Sequence, residues 1–339
     1  MQVLVTGGAG YIGSVLVRHM LEKGYKVKCL DRFFFGRESL NDISANSNLE
    51  LIRDDIRWFS PDLLDGVDFV FDLAALSNDP SGELDPAKTF DINYLGRVRV
   101  AKLSKSHGVK RYILASSCSI YGFRDEISDE KTQANPLTTY AKANFMAEND
   151  VLPLADSKFT VTVLRFATVY GSSPRMRFDL ALNGMTLGLY KTGKIPLMRD
   201  GRQWRPFIDI KDVVKAYSAV IENSSDVING EIFNVGSDGQ NCQVIDLAKA
   251  VGDSIGVPYD IEWYGSVDHR SYRVSFKKFK EALDYNVLCT PKDAALEIYN
   301  ALKSGAITDS PKTYTVSWYK HLLSNYDLMK EVVMKDTIL

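Results

Sequence analysis

A short apolar run, Val3-Leu4-Val5, breaks directly into glycines at positions 7, 8, 10 and 13, and apolar residues then recur at helical spacing through Ile12, Val15, Leu16 and Met20 to Gly24. Few patterns constrain a fold so tightly. A strand, a glycine turn and a helix in that order let the backbone approach a pyrophosphate where no Cβ intervenes, with the anion on the positive end of the helix dipole. Gly7, Gly10 and Gly13 stand three apart, and Gly8 with Gly10 and Gly13 also satisfies G-x-G-x-x-G. Lys26 to Leu30 reads as a second strand, and Asp31 closes it eighteen residues after Gly13. A carboxylate there accepts hydrogen bonds from an adenosine ribose and repels a ribose 2′-phosphate, so NAD is expected over NADP. The bland alternative is a glycine turn in any α/β protein; strand, helix and acid together favour the cofactor.

The alternation continues. Leu49 to Ile52, Asp68 to Leu73, Arg111 to Ser116 and Phe159 to Leu164 read as strands, with one long helix from Pro86 to His107. Crossover helices of that length join parallel strands, which predicts an α/β, Rossmann-type doubly wound parallel sheet over residues 1–165. Residues 166–339 are expected to form mainly a smaller C-terminal α/β substrate domain, with about 206–228 rejoining the first. The chain's 339 residues suit one large domain with a smaller partner.

A net charge of −2 with dispersed Lys and Arg gives no basic field, so neither nucleic acid nor an anionic membrane is an expected partner. No apolar run approaches the ~20 residues of a membrane span. Met1 enters a strand at once, leaving no room for a signal peptide, and a cytoplasmic location is expected. Cys29, Cys118, Cys242 and Cys289 form no C-x-x-C pair and the histidines show no ligand spacing, so neither a disulfide framework nor a metal is expected.

Ser116-Ser117-Cys118-Ser119 follows the Arg111 strand and opens onto the same rim as the glycine turn. Further along, Pro136 to Asn144 carries Tyr140 into a helix. A tyrosine facing a hydroxyl across a nicotinamide is a proton shuttle for hydride transfer: phenolate takes the alcohol proton, C–H leaves as hydride, and serine holds the oxygen.

TGGAGYIG, the Asp31 strand end, Asp55-Ile56, Leu73-Ala74-Ala75, Asn93 with Gly96, SSCSIYG, the Tyr140 helix, Arg205-Pro206-Phe207-Ile208 and Phe233-Asn234-Val235-Gly236 together resemble the extended short-chain dehydrogenase/reductases. Within them the resemblance is to the NAD-dependent nucleotide-sugar epimerase/dehydratase group, and it runs from Met1 to roughly Ser275. It implies Gly7, Gly10, Tyr11 and Ile12 under the pyrophosphate, Asp31 and Arg32 at the adenosine ribose, and Asp55 with Ile56 beside adenine. Leu73, Ala74, Ala75, Asn93 and Ser116 would line the dinucleotide. Tyr140 would be the acid/base and Ser117 its hydroxyl partner. For a nucleoside-diphosphate sugar it implies Arg205 and Arg270 on the diphosphate, with Ser77, Asn78, Arg175 and Asn183 as further contacts, in a homodimer.

Two departures bear on the reaction. The family places a lysine four residues after the tyrosine, and Asn144 stands there, keeping a hydrogen bond and losing the charge that lowers a phenol's pKa. Lys142 lies about 200° round the helix from Tyr140 and does not replace it. Family dehydratases carry Asp-Glu where this chain has Cys118 and Ser119, so elimination of water is not expected. Cys118 is a candidate acid/base if the loop shifts by one residue, against the plainer reading of a small buried residue; Ser119 stands where 3,5-epimerases have their cysteine.

Three functions are therefore in view. One is a 4-epimerase, which oxidises C4 and returns the hydride to the other face. A second is a 4-dehydrogenase or ketoreductase that releases the 4-keto sugar. The third is a non-catalytic NAD-binding regulator, against which the presence of Tyr140, Ser117, Arg205 and Arg270 together argues.

Overall fold

Strands that are apolar on both faces stack as a parallel sheet covered by helices on each side. In the computed structural model, which describes residues 1–268 and 270–332, seven strands do so. They are β1 (Gln2–Thr6), β2 (Lys26–Asp31), β3 (Leu49–Arg53), β4 (Phe69–Asp72), β5 (Arg111–Ser117), β7 (Thr160–Phe166) and β11 (Glu231–Val235). Their order is β11-β7-β5-β4-β1-β2-β3, with every neighbouring pair parallel. From β1 the chain winds outward first through β2 and β3 and then the other way through β4, so the loops beyond β1 and β4 part and leave a crevice at their carboxyl ends.

Alternation along each strand feeds two cores. Val3, Val5 and Ile113 pack towards Leu16, Val17 and Met20 of α1 (Tyr11–Glu22) and Val213 and Tyr217 of the helix Ile210–Glu222. Leu4, Tyr112 and Leu114 pack with Val98 and Ala101, and with Ala147 and Val151, on the opposite face. The stretch Pro86 to His107, expected as one helix, is divided. A short helix α2 (Asp79–Gly82) and α3 (Pro86–Phe90) precede a π turn over Asp91–Gly96, and only then does α4 (Arg97–Ser106) begin. Gly96 lies against Ile56, where a Cβ would meet the isoleucine at 3.0 Å. The helix α5 (Thr139–Val151) starts from a Thr138 cap, whose Oγ1 accepts the Ala141 N–H at 3.2 Å.

After β7 the chain leaves the sheet. β8 (Thr168–Tyr170), β10 (Trp204–Asp209) and β12 (Asn241–Gln243) form a three-stranded sheet with β10 at its centre. β9 (Lys194–Met198) pairs with β13 (Asp260–Tyr264), and β6 (Ile127–Ser128) with β14 (Arg273–Val274). A third core gathers Tyr170, Phe207, Leu247 and Ile298 around Leu182, Met185 and Leu189 of α6 (Ala181–Thr192). The segment 210–235 goes back to the large sheet, as α7 (Ile210–Glu222) on one face and β11 at its edge. Among the described residues, no helix is long and apolar enough to cross a membrane.

Asp209 is the hinge residue between β10 and α7, and its Oδ1 caps the helix by accepting the Lys211 N–H at 2.7 Å. Burial pushes its carboxyl up to about 6, against the pull of that N–H and of the Lys211 charge. A carboxyl raised above its unfolded value holds its proton better in the folded chain, so this group's contribution to stability falls as pH rises through about 6. Asp209→Asn keeps the cap and removes the charge. Urea unfolding is expected to show it more stable than the parent by about 1–2 kcal/mol at pH 8 and nearly equal at pH 4.

Candidate active site

The glycine turn owes its shape to missing side chains. Gly7 has φ +68°, and a Cβ on it would stand 3.0 Å from the Ala74 backbone; one on Gly13 would stand 2.1 Å from the Gly7 carbonyl oxygen. α1 can therefore begin hard against the ends of β1 and β4. It begins without a side-chain cap, which leaves the N–H groups of its first turn to whatever anion enters. The Tyr11 hydroxyl is turned away from this turn and donates to the Gly171 carbonyl at 2.7 Å, tying α1 to the loop after β8.

At the end of β2, Asp31 accepts the Ala9 N–H at 3.0 Å and the Phe33 N–H at 2.7 Å. Burial raises its carboxyl, and those N–H groups oppose the rise. Asp55 takes Arg32 Nη1 at 2.6 Å and Arg57 Nη2 at 2.9 Å, and although burial works against it, the two arginines hold its carboxyl below the ordinary range.

A cleft of about 820 Å³ follows the carboxyl ends of the strands, at the large end for a small-molecule site. Gly7, Gly10, Tyr11, Ile12, Asp31, Arg32, Asp55, Ile56, Leu73, Ala74, Ala75, Ser116, Ser117, Ser119 and Tyr140 all line it, as do Ser77, Asn78, Arg175, Arg205 and Arg270. Four residues singled out in the sequence do not: Asn93, Cys118, Asn144 and Asn183. Cys118 is only 1% exposed and its thiol donates to the Arg165 carbonyl, with burial pushing its pKa up; it is a core residue and not an acid/base. Asn93 clamps the backbone of Leu76, at 2.8 and 3.0 Å, and so supports the lining from behind without facing the cleft. Asn183 spans Gly171 and Arg177 through their backbones, at 3.0 and 2.9 Å, and braces that loop rather than a ligand. Arg175 is also corrected. It lies 3.6 Å over the Phe35 ring, between Asp31 on one side and Arg177 with Asp179 on the other, rather than at the end of the cleft that holds Arg205 and Arg270.

Tyr140 rests on α2, where a Cβ on Gly82 would stand 3.0 Å from its own Cβ. Burial pushes its phenol up and Asp79 adds to the rise; Arg97, Asn144 and Ser117 act the other way. The Ser117 Oγ accepts the Ser119 N–H at 3.1 Å, which turns its side chain at the end of β5. Beneath it the Ser116 hydroxyl donates to Glu148, whose carboxylate also binds Arg165 at 2.6 Å in a buried pair.

At the far end of the cleft Arg205 and Arg270 share Asp268, at 2.9 and 2.8 Å, and Arg270 also reaches Asp79 across the cleft. Asn78 meets Asp179 at 3.2 Å. Arg177, not singled out in the sequence, donates to Asp179 and to Ser77 Oγ from within the lining. Its one available signal was PRMRFD, with two arginines two residues apart and an acid two further on. Over the Asp31 end of the cleft lies the helix Thr315–Val332: Trp318 Nε1 donates to the Phe34 carbonyl at 2.6 Å, and the Tyr319 ring stands 5.3 Å from that of Phe35.

Residues 3–236 match the model of the NAD dependent epimerase/dehydratase family. UDP-glucuronic acid decarboxylase 1 of Arabidopsis thaliana is 29% identical over 297 residues, 84% of this chain and 66% of that protein, so the chain spans about two thirds of its length. UDP-glucose 4-epimerase of Lactobacillus helveticus is 27% identical over 278 residues, 76% of this chain and 84% of that one. Among solved structures, MoeE5 in complex with UDP-glucose and NAD superposes with a TM-score of 0.79 at 26% identity, covering 91% of this chain and 100% of that one. The uncapped start of α1, the glycine approach and the Asp31 carboxylate fit a pyrophosphate and a ribose diol, so these are the residues that would hold NAD. Calorimetry is expected to find Asp31→Asn binding NAD about tenfold more weakly, with a narrower margin over NADP. The chain belongs to the NAD dependent epimerase/dehydratase family, as an NAD-dependent enzyme on a Rossmann-like sheet.

Proposed function

We propose that this enzyme is a nucleotide-sugar 4-epimerase, oxidising a nucleoside-diphosphate sugar at C4 and returning the hydride to the opposite face. The observation that carries this reading is the make-up of the turn after β5. Ser117 and Ser119 line the cleft with Tyr140, Cys118 is buried between them, and no carboxylic acid stands there to expel a hydroxyl. Asp79 is the carboxylate beside Tyr140, and it is engaged by Arg270 and the Thr138 hydroxyl. A single phenol suffices for a proton removed and later given back.

Bound NAD supplies the hydride acceptor and, on return, the donor. Tyr140 takes the C4 hydroxyl proton at its phenolic oxygen, and Ser117 holds the sugar oxygen while it becomes a carbonyl. Arg205 and Arg270 take the diphosphate, whose oxygens replace Asp268 on their guanidinium forks. Anchored chiefly through that diphosphate, the 4-keto sugar can turn over and present the other face of its carbonyl. Relatives named UDP-glucose 4-epimerase and UDP-glucuronic acid decarboxylase make UDP-sugars the first substrates to try.

The test is proton NMR on a panel of UDP-, GDP-, CDP- and dTDP-sugars, UDP-glucuronic acid among them, with the NADH absorbance band followed in parallel. New anomeric signals without lasting NADH are expected from at least one sugar. Accumulating NADH would instead show a 4-dehydrogenase, carbon dioxide release a decarboxylase, and silence across the panel a regulator; each overturns the epimerase. On the active sugar, Tyr140→Phe is expected to lower kcat by roughly 10³-fold and Ser117→Ala by about 10- to 100-fold.

A further inference from the structure

The position one turn beyond Tyr140, lysine in the resembled family, is not simply vacated by charge. The Asn144 carboxamide donates through Nδ2 to the Tyr140 carbonyl at 3.1 Å, and its Oδ1 accepts Arg97 Nη1 at 2.8 Å. Arg97 opens α4, the neighbouring helix, and only 1% of it is exposed. Its Nη2 donates to the carbonyls of Asp72 and Ala115, on β4 and β5. Its Nε has no hydrogen-bond partner among the described residues. Its ion-pair partner, Asp72, stays 3.9 Å from that Nε, with its oxygens taken by Thr6 and Tyr112. A full positive charge is thus held almost entirely by neutral acceptors on the floor of the cleft, which it lines. Burying a charge so thinly paired is costly, more so than a brace between two helices requires.

The backbone places it there. The π turn Asp91–Gly96 ends on the residue before Arg97, and one extra residue in a turn rotates the remainder of the helix by about 100°. That brings Arg97 round to the strand ends and α5. Among the described residues the charged groups that bear on Tyr140 are Asp79 from α2, Arg97 from α4, and Arg177 from the loop after β8, whose charge Asp179 shares.

We propose that Arg97 is the positioning cation of this active site: seated on Asn144, its guanidinium sets the proton affinity of Tyr140 from α4, where the family's lysine would act from α5 itself. The inference rests on Tyr140 as the acid/base of the reaction. Arg97, Asn144 and Ser117 all draw the phenol down, and of the three only Arg97 carries a charge.

The test reads Tyr140 without turnover, as the alkaline absorbance titration of the parent minus that of Tyr140→Phe. A neighbouring opposite charge shifts a pKa by about 1–3 units. Arg97→Met is therefore expected to move the Tyr140 transition up by about one unit or more, or past the alkaline limit of folding. The swap Arg97→Met with Asn144→Lys, which returns the cation to α5, is expected to bring it back to within about half a unit of the parent. An unshifted transition in folded Arg97→Met, or a swap that restores nothing, overturns the proposal. Should Arg97→Met not fold, Arg97→Lys carries the comparison, because it keeps the charge and gives up the fork. Its transition must stay within about half a unit of the parent, and a rise of a full unit overturns the proposal. A protein that shows these shifts yet turns over no nucleotide sugar leaves Arg97 in its role and removes only the epimerase reading.

Discussion

A Cβ on Gly13 would stand 2.1 Å from the Gly7 carbonyl oxygen, and the whole carboxyl edge of the sheet is arranged around the absence of that carbon. Without it α1 starts against the strand ends, its free N–H groups face the crevice, and Ala9 falls within hydrogen-bond range of Asp31. The dipole end for the pyrophosphate and the acid for the ribose are in this way one rigid unit. The π turn and Gly96 extend the same logic on the other side of β4, where close packing on Ile56 fixes how α4 enters.

What could be read from the sequence was what the chain encodes within a few residues. The strand-glycine-helix run, the acid ending β2, the serines ending β5 and the tyrosine entering α5 depend on spacing alone, and the structure sets them along one cleft. Cys118 was open to misreading because it sits among them; the tight 3-10 turn Cys118–Tyr121 that follows β5 carries its thiol inward onto the Arg165 carbonyl. Asn93 and Asn183 occupy positions where a polar side chain suggests a ligand, yet each spends its amide on buried backbone. Arg97 and Arg177 were illegible for a different reason. Their meaning depends on a neighbouring helix and on a loop folding across the cleft, and the π turn that aims Arg97 leaves no periodic trace.

The substrate end holds its arginines in ready-made pairs. Arg205 and Arg270 lie on Asp268, and Arg270 also on Asp79, so neither guanidinium is stripped of water without a counter-charge. On the proposed reading an arriving diphosphate displaces a carboxylate of like sign, which makes binding an exchange of ion pairs. Such exchange discriminates well by geometry while adding modest net affinity. Arg270 with Asp79 and Asn78 with Asp179 also stitch the two walls of the cleft together, so the same exchange bears on how far the walls stand apart.

The helix Thr315–Val332 closes the opposite end. Trp318 and Tyr319 sit on Phe34 and Phe35, Arg175 is stacked beneath and bonded to Thr315 at 3.1 Å, and Tyr319 lines the cleft. On the proposed reading the adenosine lies beneath this roof, and its departure would prise up an aromatic cluster. A cofactor kept in this way suits a reaction that returns it to its starting oxidation state on every cycle.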